Sequence, residues 1–231
     1  MKRMKRILNF ISILTLYSLT FSAQALYVGS EVFTLESDKS FFSRTYLNNT
    51  DRTNLYKIHV YKIEKPGGKE KDEKQLPIDD GEILYTPLQK VLLPNEHEFF
   101  KLFYKGAKDD KERYYRIIIE ETPINLVPYQ ENSKQPLVVP TVGLNTVMVI
   151  RPREMKFTYD HNNIAGTIKN TGNTYFRLLL NDKCDSDEEN AKILQILPGE
   201  SYQHPWLKKE HKQFIIAFDR YLGLENNCAK N

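Results

Sequence analysis

Little in this sequence would support enzymatic chemistry. Its five histidines are scattered, and none has a second histidine at the spacing of a helical or hairpin metal site. A glycine-rich phosphate loop and a G-x-S-x-G nucleophile elbow are both absent. Acidic neighbours such as Glu120 and Glu121 point to opposite faces of a strand, and we expect both to be solvated. The chain is therefore predicted to be no enzyme and to bind no metal and no cofactor.

Alanine and long amphipathic helical patterns are scarce as well, whereas 14 Tyr and 12 Phe accompany many Val and Ile. This composition favours β-structure. Short alternating segments recur at intervals of about ten residues between turn sequences, as in a β-sandwich. In the first half they cover residues 27–35, 41–48, 56–64, 83–86, 90–93, 98–105 and 113–121. The pattern restarts after Arg153, so we predict an all-β chain of two consecutive sandwiches.

The first 25 residues contain no acidic side chain and have the features of a secretory signal peptide. Four basic residues precede an apolar run over 7–21, and cleavage is expected after Ala25. The alternative, a retained membrane anchor, conflicts with a run shorter than the roughly 20 apolar residues that span a bilayer. Because the four basic residues exceed the formal charge of +3, the exported chain is nearly neutral. We expect neither nucleic-acid binding nor stable membrane insertion.

Cysteine is rare, with only Cys184 and Cys228 present. An oxidising compartment favours their pairing in an exported chain, so we predict a disulfide between them. The alternative is two separate buried thiols.

The segment 135–150 carries no charge, although 27% of the chain is charged. Val138, Val142 and Leu144 share one parity of a strand, and Pro140, which has no N–H to donate, favours an edge position. An exposed apolar edge is an aggregation hazard unless a partner covers it. The segment therefore predicts addition of this strand to another protein. An ordinary sandwich strand with a bulge near Gly143 is the alternative.

Three stretches carry a resemblance to a known family. They are LYTPLQKVLLPNEHEFFKLFYKG at 84–106, KERYYRIIIEETP at 111–123, and the uncharged strand that ends in VIRP at 149–152. Together they resemble the periplasmic, PapD-like pilus-assembly chaperones of the chaperone–usher pathway. The motifs look closest to the alternate-class branch that serves colonisation-factor fimbriae and the common pilus. The resemblance extends over the mature chain, is strongest at 83–122 and is weak after Asn181.

This resemblance implies two immunoglobulin-like domains in an L shape, with a signal peptide at 1–25, an N-terminal domain at 26–151 and a C-terminal domain at 152–231. It implies a periplasmic chaperone that folds and caps pilin subunits by donor-strand complementation and delivers them to an outer-membrane usher. A structural pilus subunit or a secreted adhesin is the alternative. A carbohydrate-binding or hydrolytic domain that uses Trp206 is a third hypothesis. Self-association of the free protein is left open.

The resemblance also assigns residues to the donor strand. The donated side chains would be Val138, Val142 and Leu144, with Pro140 between them. The last strand of the first domain would thus supply the strand that an incomplete pilin lacks.

In the better-known branch of the family, an arginine and a lysine grip the carboxylate at the pilin's C-terminus. Here Glu31 and Val147 occupy those two positions, so this grip does not carry over. Arg116 in YYRI is our first candidate for a replacement, since an arginine binds a carboxylate through two hydrogen bonds. Lys101 and Lys105 are further candidates. The alternative is a solvated or interdomain role for Arg116.

A salt-bridge cluster between the two domains is the last feature that the resemblance implies. Arg151 matches the family's arginine, Asp219 in AFDRYLG matches its aspartate, and Glu112 would be a third member. A surface ion pair contributes only about 0–1 kcal/mol. The expected role of the cluster is therefore to orient the domains.

Overall fold

The computed structural model describes residues 32–66, 74–78, 80–124, 141–185, 190–208, 210–218, 220–225 and 228. Their regular structure is almost entirely β-strand, and the described helical residues are all 3-10, among them the short segment Pro205–Leu207. Within the same ranges no helix is long and apolar enough to cross a membrane. The predicted all-β fold is confirmed.

The described part of the first sandwich contains nine strands. They are β1 Val32–Leu35, β2 Phe41–Leu47, β3 Asn54–Ile63, β4 Lys74–Gln75, β5 Ile83–Thr86, β6 Gln89–Leu92, β7 His97–Tyr104, β8 Arg113–Pro123 and β9 Val142–Ile150. The larger sheet has the order β1-β9-β8-β3-β4, with β6 also paired to β3, and the smaller has the order β2-β7-β5. β1 runs parallel to β9, whereas the other neighbours are antiparallel.

The core of this sandwich follows from alternation along the strands. In β8 every second side chain, Tyr115, Ile117 and Ile119, is fully buried. These side chains pack with aromatic residues of the facing sheet, among them Phe100. Burying each large apolar side chain stabilises the fold by roughly 1.5–3 kcal/mol. The opposite parity of β8 lies on the outer face of the larger sheet.

The second sandwich contains β10 Tyr159–Asn162, β11 Thr167–Asn170, β12 Phe176–Leu180, β13 Lys192–Ile196, β14 Ser201–Gln203, β15 Gln213–Ala217 and β16 Arg220–Gly223. Its sheets have the orders β10-β11-β14 and β13-β12-β15-β16. Its core is separate from the first one. The predicted disulfide between Cys184 and Cys228 is present. Trp206 is partly buried and packs against this second core.

A small apolar cluster joins the two sandwiches. Ile63, Tyr114 and Val149 on the outer face of the larger sheet meet Leu197 and Tyr175 of the second sandwich. The two units are therefore in direct contact at the end of β9. The exact domain limits, 26–151 and 152–231, stay predictions.

An open strand edge beside a cleft

Strand β9 has two halves with different neighbours. Residues 147–150, the closed half, pair with β1 on one side and with β8 on the other. Residues 142–146, the open half, pair with β8 alone among the residues that the structure describes. Within the described residues, the edge of the open half that faces away from β8 has no ladder partner, which is the form that accepts an additional strand.

The inward-facing side chains of β9 become more exposed towards the first residue of the strand. Met148 is fully buried and Thr146 is 1% exposed, whereas Val142 is 57% exposed. Leu144 lies between these extremes and packs on the rim of the core. The polar side chain of Thr146 can be buried in the core because its Oγ1 donates a hydrogen bond to the carbonyl of Ile117 at 3.2 Å. The open half thus keeps apolar side chains at a position where its own sandwich covers them incompletely.

Two of the four predicted donor residues, Val138 and Pro140, lie outside the described residues. The other two, Val142 and Leu144, share the inward face, as their parity predicts. The bulge considered near Gly143 is absent, because the register from Val142 opposite Glu121 to Ile150 opposite Arg113 is unbroken. The donor-strand assignment itself stays a prediction.

A buried carboxylate lies beneath the open half, and here the expectation of a solvated charge was wrong. Glu121 is only 8% exposed and accepts a hydrogen bond from the Tyr56 hydroxyl at 3.0 Å. Burial raises the pKa of Tyr56 above its ordinary value, so the phenol stays a donor. Asn54 Nδ2 contacts the same hydroxyl at 3.2 Å. The sequence showed only alternating parity and could not show that Tyr56 lies opposite Glu121.

On the outer face of the larger sheet, four residues lie side by side across the strands. The register places Val32 beside Val147, Val147 beside Arg116, and Arg116 beside Tyr61. We call these four residues the cleft row. Val149 and Tyr114, each two residues away from the row along β9 and β8, contact Leu197 of the second sandwich. Val32, Tyr61 and Val147 of the cleft row also pack against the apolar cluster that these residues form, so the row borders the contact between the sandwiches.

The candidate anchors occupy different places. Arg116 lies next to Val147, the position at which the family resemblance leads one to expect a lysine. Lys101 lies on β7 of the other sheet, where it pairs with Ser43 and Thr86, and Lys105 directly follows that strand. The structure does not bring these two lysines to the cleft row. Glu31 lies outside the described residues.

Glu112 is the centre of the junction between the sandwiches. Its carboxylate accepts from Arg151 Nη1 at 3.0 Å, from Thr174 Oγ1 at 2.6 Å and from the backbone N–H of Tyr175 at 3.0 Å. It also accepts from the hydroxyl of Tyr114. Burial and the charge of Glu112 together raise the pKa of that phenol. Glu112 and Arg151 form an ion pair, whereas Asp219, the third member of the predicted cluster, lies outside the described residues, and the orienting role of the cluster stays a prediction.

The junction is a buried charge pair. The side chains of Arg151 and Glu112 are 9% and 1% exposed, and the guanidinium of Arg151 lies 4.3 Å from the ring centre of Tyr175. A second contact between the sandwiches, from Lys65 Nζ to Glu200 Oε1 at 3.7 Å, was not predicted. A groove of about 580 Å³ adjoins it. Because several backbone and side-chain groups converge on one carboxylate, the pair restricts how the sandwiches can rotate.

The described residues contain no group of three or more histidine, cysteine or acidic side chains that could hold a metal ion.

Comparisons with known proteins give the chain its relatives, although no family model matches it. It is 34% identical over 206 residues to the probable fimbrial chaperone EcpE of Escherichia coli O18:K1:H7, an alignment that covers 89% of this chain and 86% of that protein. Its fold is similar to that of the class 5 fimbriae chaperone CfaA, with a TM-score of 0.56 and 18% identity over 87% of this chain and 99% of that one. It is also similar to a chain in the complex of Salmonella enterica SafA pilin with the SafB chaperone, with a TM-score of 0.55 and 11% identity over 89% of this chain and 95% of that one. The two structures support the predicted fold of paired immunoglobulin-like sandwiches.

Proposed function

The chain belongs to the fimbrial chaperone family, and from this premise we propose that it caps pilin subunits in the periplasm by donor-strand complementation. It is a chaperone and not an enzyme. The alternative of a structural pilus subunit or adhesin has no support among its relatives, which are chaperones. The L-shaped arrangement of the two sandwiches is part of this proposal.

The open half of β9 is the observation that carries the proposal. Among the described residues it has an edge without a second strand, together with Val142 and Leu144, which are covered incompletely. An incomplete pilin could bury such side chains in its groove, each contributing roughly 1.5–3 kcal/mol. Its backbone would complete the hydrogen-bond ladder, which sets the register.

The position of β1 indicates how the subunit would lie. β1 occupies the space beside the closed half and runs parallel to β9. A subunit strand beside the open half would continue the line of β1. If it also runs parallel to β9, its C-terminus points towards the cleft row. This orientation brings the terminal carboxylate to the end of the open half, where Arg116 lies opposite Val147.

We propose that Arg116 takes the place of the missing lysine as the carboxylate anchor. It is the basic member of the cleft row, and its planar guanidinium suits a two-pronged contact with a carboxylate. The apolar Val147 next to it lowers the local exposure to water, which strengthens an ionic hydrogen bond.

Delivery to the usher needs a second surface that stays accessible while β9 is occupied. The outer face of the sheet β2-β7-β5 has such a surface, since Phe41, Phe99 and Phe103 are each exposed by 44% or more. Contiguous exposed apolar groups of this kind are typical of interaction sites. We propose that the usher binds here. Replacing Phe41 and Phe103 by serine should preserve subunit capture and reduce the number of pili at the cell surface.

The direct test of the chaperone function is to co-express a fimbrial subunit with the double variant Val142→Asp, Leu144→Asp. We expect the subunit to be degraded or to aggregate, because two charges cannot enter its apolar groove. Ile164→Asp is the matched control, since Ile164 is 81% exposed on the second sandwich. If the subunit remains soluble and co-purifies with the double variant as before, the donor-strand assignment is wrong.

A further inference from the structure

Gly143 in the open half of β9 is not explained by the fold of this chain. Glycine weakens a strand, and it often marks a place where another backbone or ligand approaches closely. Among the described residues, a Cβ atom built on Gly143 would meet only Ile118 Cγ2, at 3.7 Å, which is an ordinary van der Waals distance. Gly143 also lacks the positive φ angle that would favour glycine. Alanine would therefore fit the described structure.

The other glycines of the described residues show how unusual this position is. Three of them, Gly81, Gly106 and Gly172, have a neighbouring atom within 2.6 Å of an added Cβ, and two more, Gly166 and Gly199, have positive φ angles. Only Gly223 shares the freedom of Gly143. Gly223, however, ends the edge strand β16. Gly143 lies inside a ladder that pairs it with Glu120.

The surroundings of Gly143 form a notch on the outer face of the larger sheet. Its floor is the backbone of Gly143, and its wall is the side chain of Ile118. Glu120, the cross-strand neighbour of Gly143, is directed away from it, because its Oε2 lies 3.4 Å from His59 Nε2 on β3. Gln75 Nε2 in turn lies 3.4 Å from His59 Nδ1. The notch stays open because these contacts hold the carboxylate to one side.

We propose that this notch is a specificity subsite that receives one large apolar or aromatic side chain from the bound subunit. The inference rests on the proposed function. A subunit strand beside the open half would place every second side chain on the outer face, next to Gly143. A large side chain there can lie across the glycine backbone and against the methyl group of Ile118, and it would cover an otherwise unprotected part of the ladder. The donated residues Val142 and Leu144 face inward, so this contact is independent of them.

The proposal is tested with Gly143→Ala and Gly143→Val, and with Gly223→Ala as the matched control. One fimbrial subunit is co-expressed with equal amounts of two differently tagged chaperones, unsubstituted and variant, and the ratio of subunit bound to each is measured. We expect Gly143→Ala to bind about tenfold more weakly, the usual effect of one added carbon in an apolar subsite, with a Tm that is unchanged or higher. Gly223→Ala should change neither quantity.

The subunit provides the second half of the test. Its large apolar residues in the strand that binds β9 are replaced by alanine one at a time. One such variant should bind the unsubstituted chaperone and Gly143→Ala equally well, because the two losses concern the same contact.

Equal binding of Gly143→Ala, Gly143→Val and the unsubstituted chaperone would overturn the subsite. A lower Tm for Gly143→Ala would also overturn it, since the glycine would then serve the fold. Failure of the proposed function is a different result. The unsubstituted chaperone would then bind no subunit, or Leu144→Asp would bind it as well as the unsubstituted chaperone does. If Gly143→Val does not fold, Gly143→Ala alone decides.

Discussion

The two halves of β9 are equally free of charge, yet they have opposite roles in the structure. In the closed half, Met148, Val149 and Ile150 lie between two neighbouring strands and are buried. In the open half, Val142 is mostly exposed and the strand has one neighbour among the described residues. The composition of a strand therefore does not decide whether it is core or edge. Its partners decide.

The second sandwich protects its edge in a different way. One of its edge strands, β16, is four residues long, begins with Arg220 and is exposed throughout. Short length and charge are the usual means of preventing unwanted strand pairing. The open half of β9 has no charged residue, which is consistent with an edge kept for a partner.

The largest expected effect comes from placing the same charge in each half of β9. Met148→Asp buries an unpaired carboxylate in the core and should cost on the order of 5 kcal/mol of unfolding free energy. Val142→Asp leaves its charge in water and should change that free energy by less than about 0.5 kcal/mol. Urea denaturation measures both. Similar losses for the two variants would contradict the division of β9 into an open and a closed half.

The junction at the end of the closed half gives the next effect. Glu112→Ala leaves Arg151 buried without its carboxylate and should cost about 3–5 kcal/mol. Lys90→Ala is the control, because the pair of Lys90 and Glu98 is partly exposed and should contribute little to stability. Chemical denaturation of both variants tests the difference. Equal losses would show that the junction pair behaves like a surface pair.

A third effect concerns Arg116, at the boundary of the two halves. Arg116→Gln should weaken subunit binding by about 1.5–3 kcal/mol, the usual contribution of a hydrogen bond to a charged group. Lys101→Gln and Lys105→Gln are matched controls, because both lysines belong to the other sheet. Competition between tagged chaperones for one subunit measures the change. If either lysine variant weakens binding as much as Arg116→Gln, the anchor lies elsewhere.

The smallest expected effect is a pH dependence of the unfolding free energy, which arises from Glu82 near the closed half. Burial alone would raise the pKa of Glu82, but hydrogen bonds from Lys62 and from Tyr115, the neighbour of Met148, outweigh it and lower the pKa. Because the pKa of Glu82 is lower in the folded state, its carboxylate stabilises the fold above about pH 4.3. This contribution is lost as the pH falls through the folded-state pKa.

Glu82→Gln should therefore lose less stability than the unsubstituted protein on acidification. The difference should stay below about 1 kcal/mol, because the Glu82 side chain is one-third exposed. Urea midpoints between about pH 3 and pH 6 measure it. A stability difference that does not vary with pH would contradict the assignment.

Much of the fold could be predicted because strand patterns are local. The segment 83–86 is found as β5 with the predicted bounds, and 98–105 is found one residue earlier as β7, His97–Tyr104. β4 was not predicted, since two exposed residues, Lys74 and Gln75, show no alternation. A strand of that length is defined by its pairing with β3, which no local pattern reveals.

The candidate site was predictable in part. Parity alone places Val142 and Leu144 on one face, and the motif VIRP places Arg151 at the junction. The central position of Glu112 was not predictable, because its partners Thr174 and Tyr175 are more than 60 residues away in the chain. Neither was the burial of Glu121, which depends on Tyr56 from another strand.

By itself, the sequence predicted an export signal and determined the strand-rich fold and the apolar face of β9, because each is encoded in the order of neighbouring residues. Only the tertiary structure decided which half of β9 pairs with β1, which basic residue lies beside Val147, and which side chains surround Gly143 in the described part of the chain. The physical reason is that these properties belong to the register between strands far apart in the chain. A register is set by packing of the whole sandwich and cannot be deduced from one strand alone.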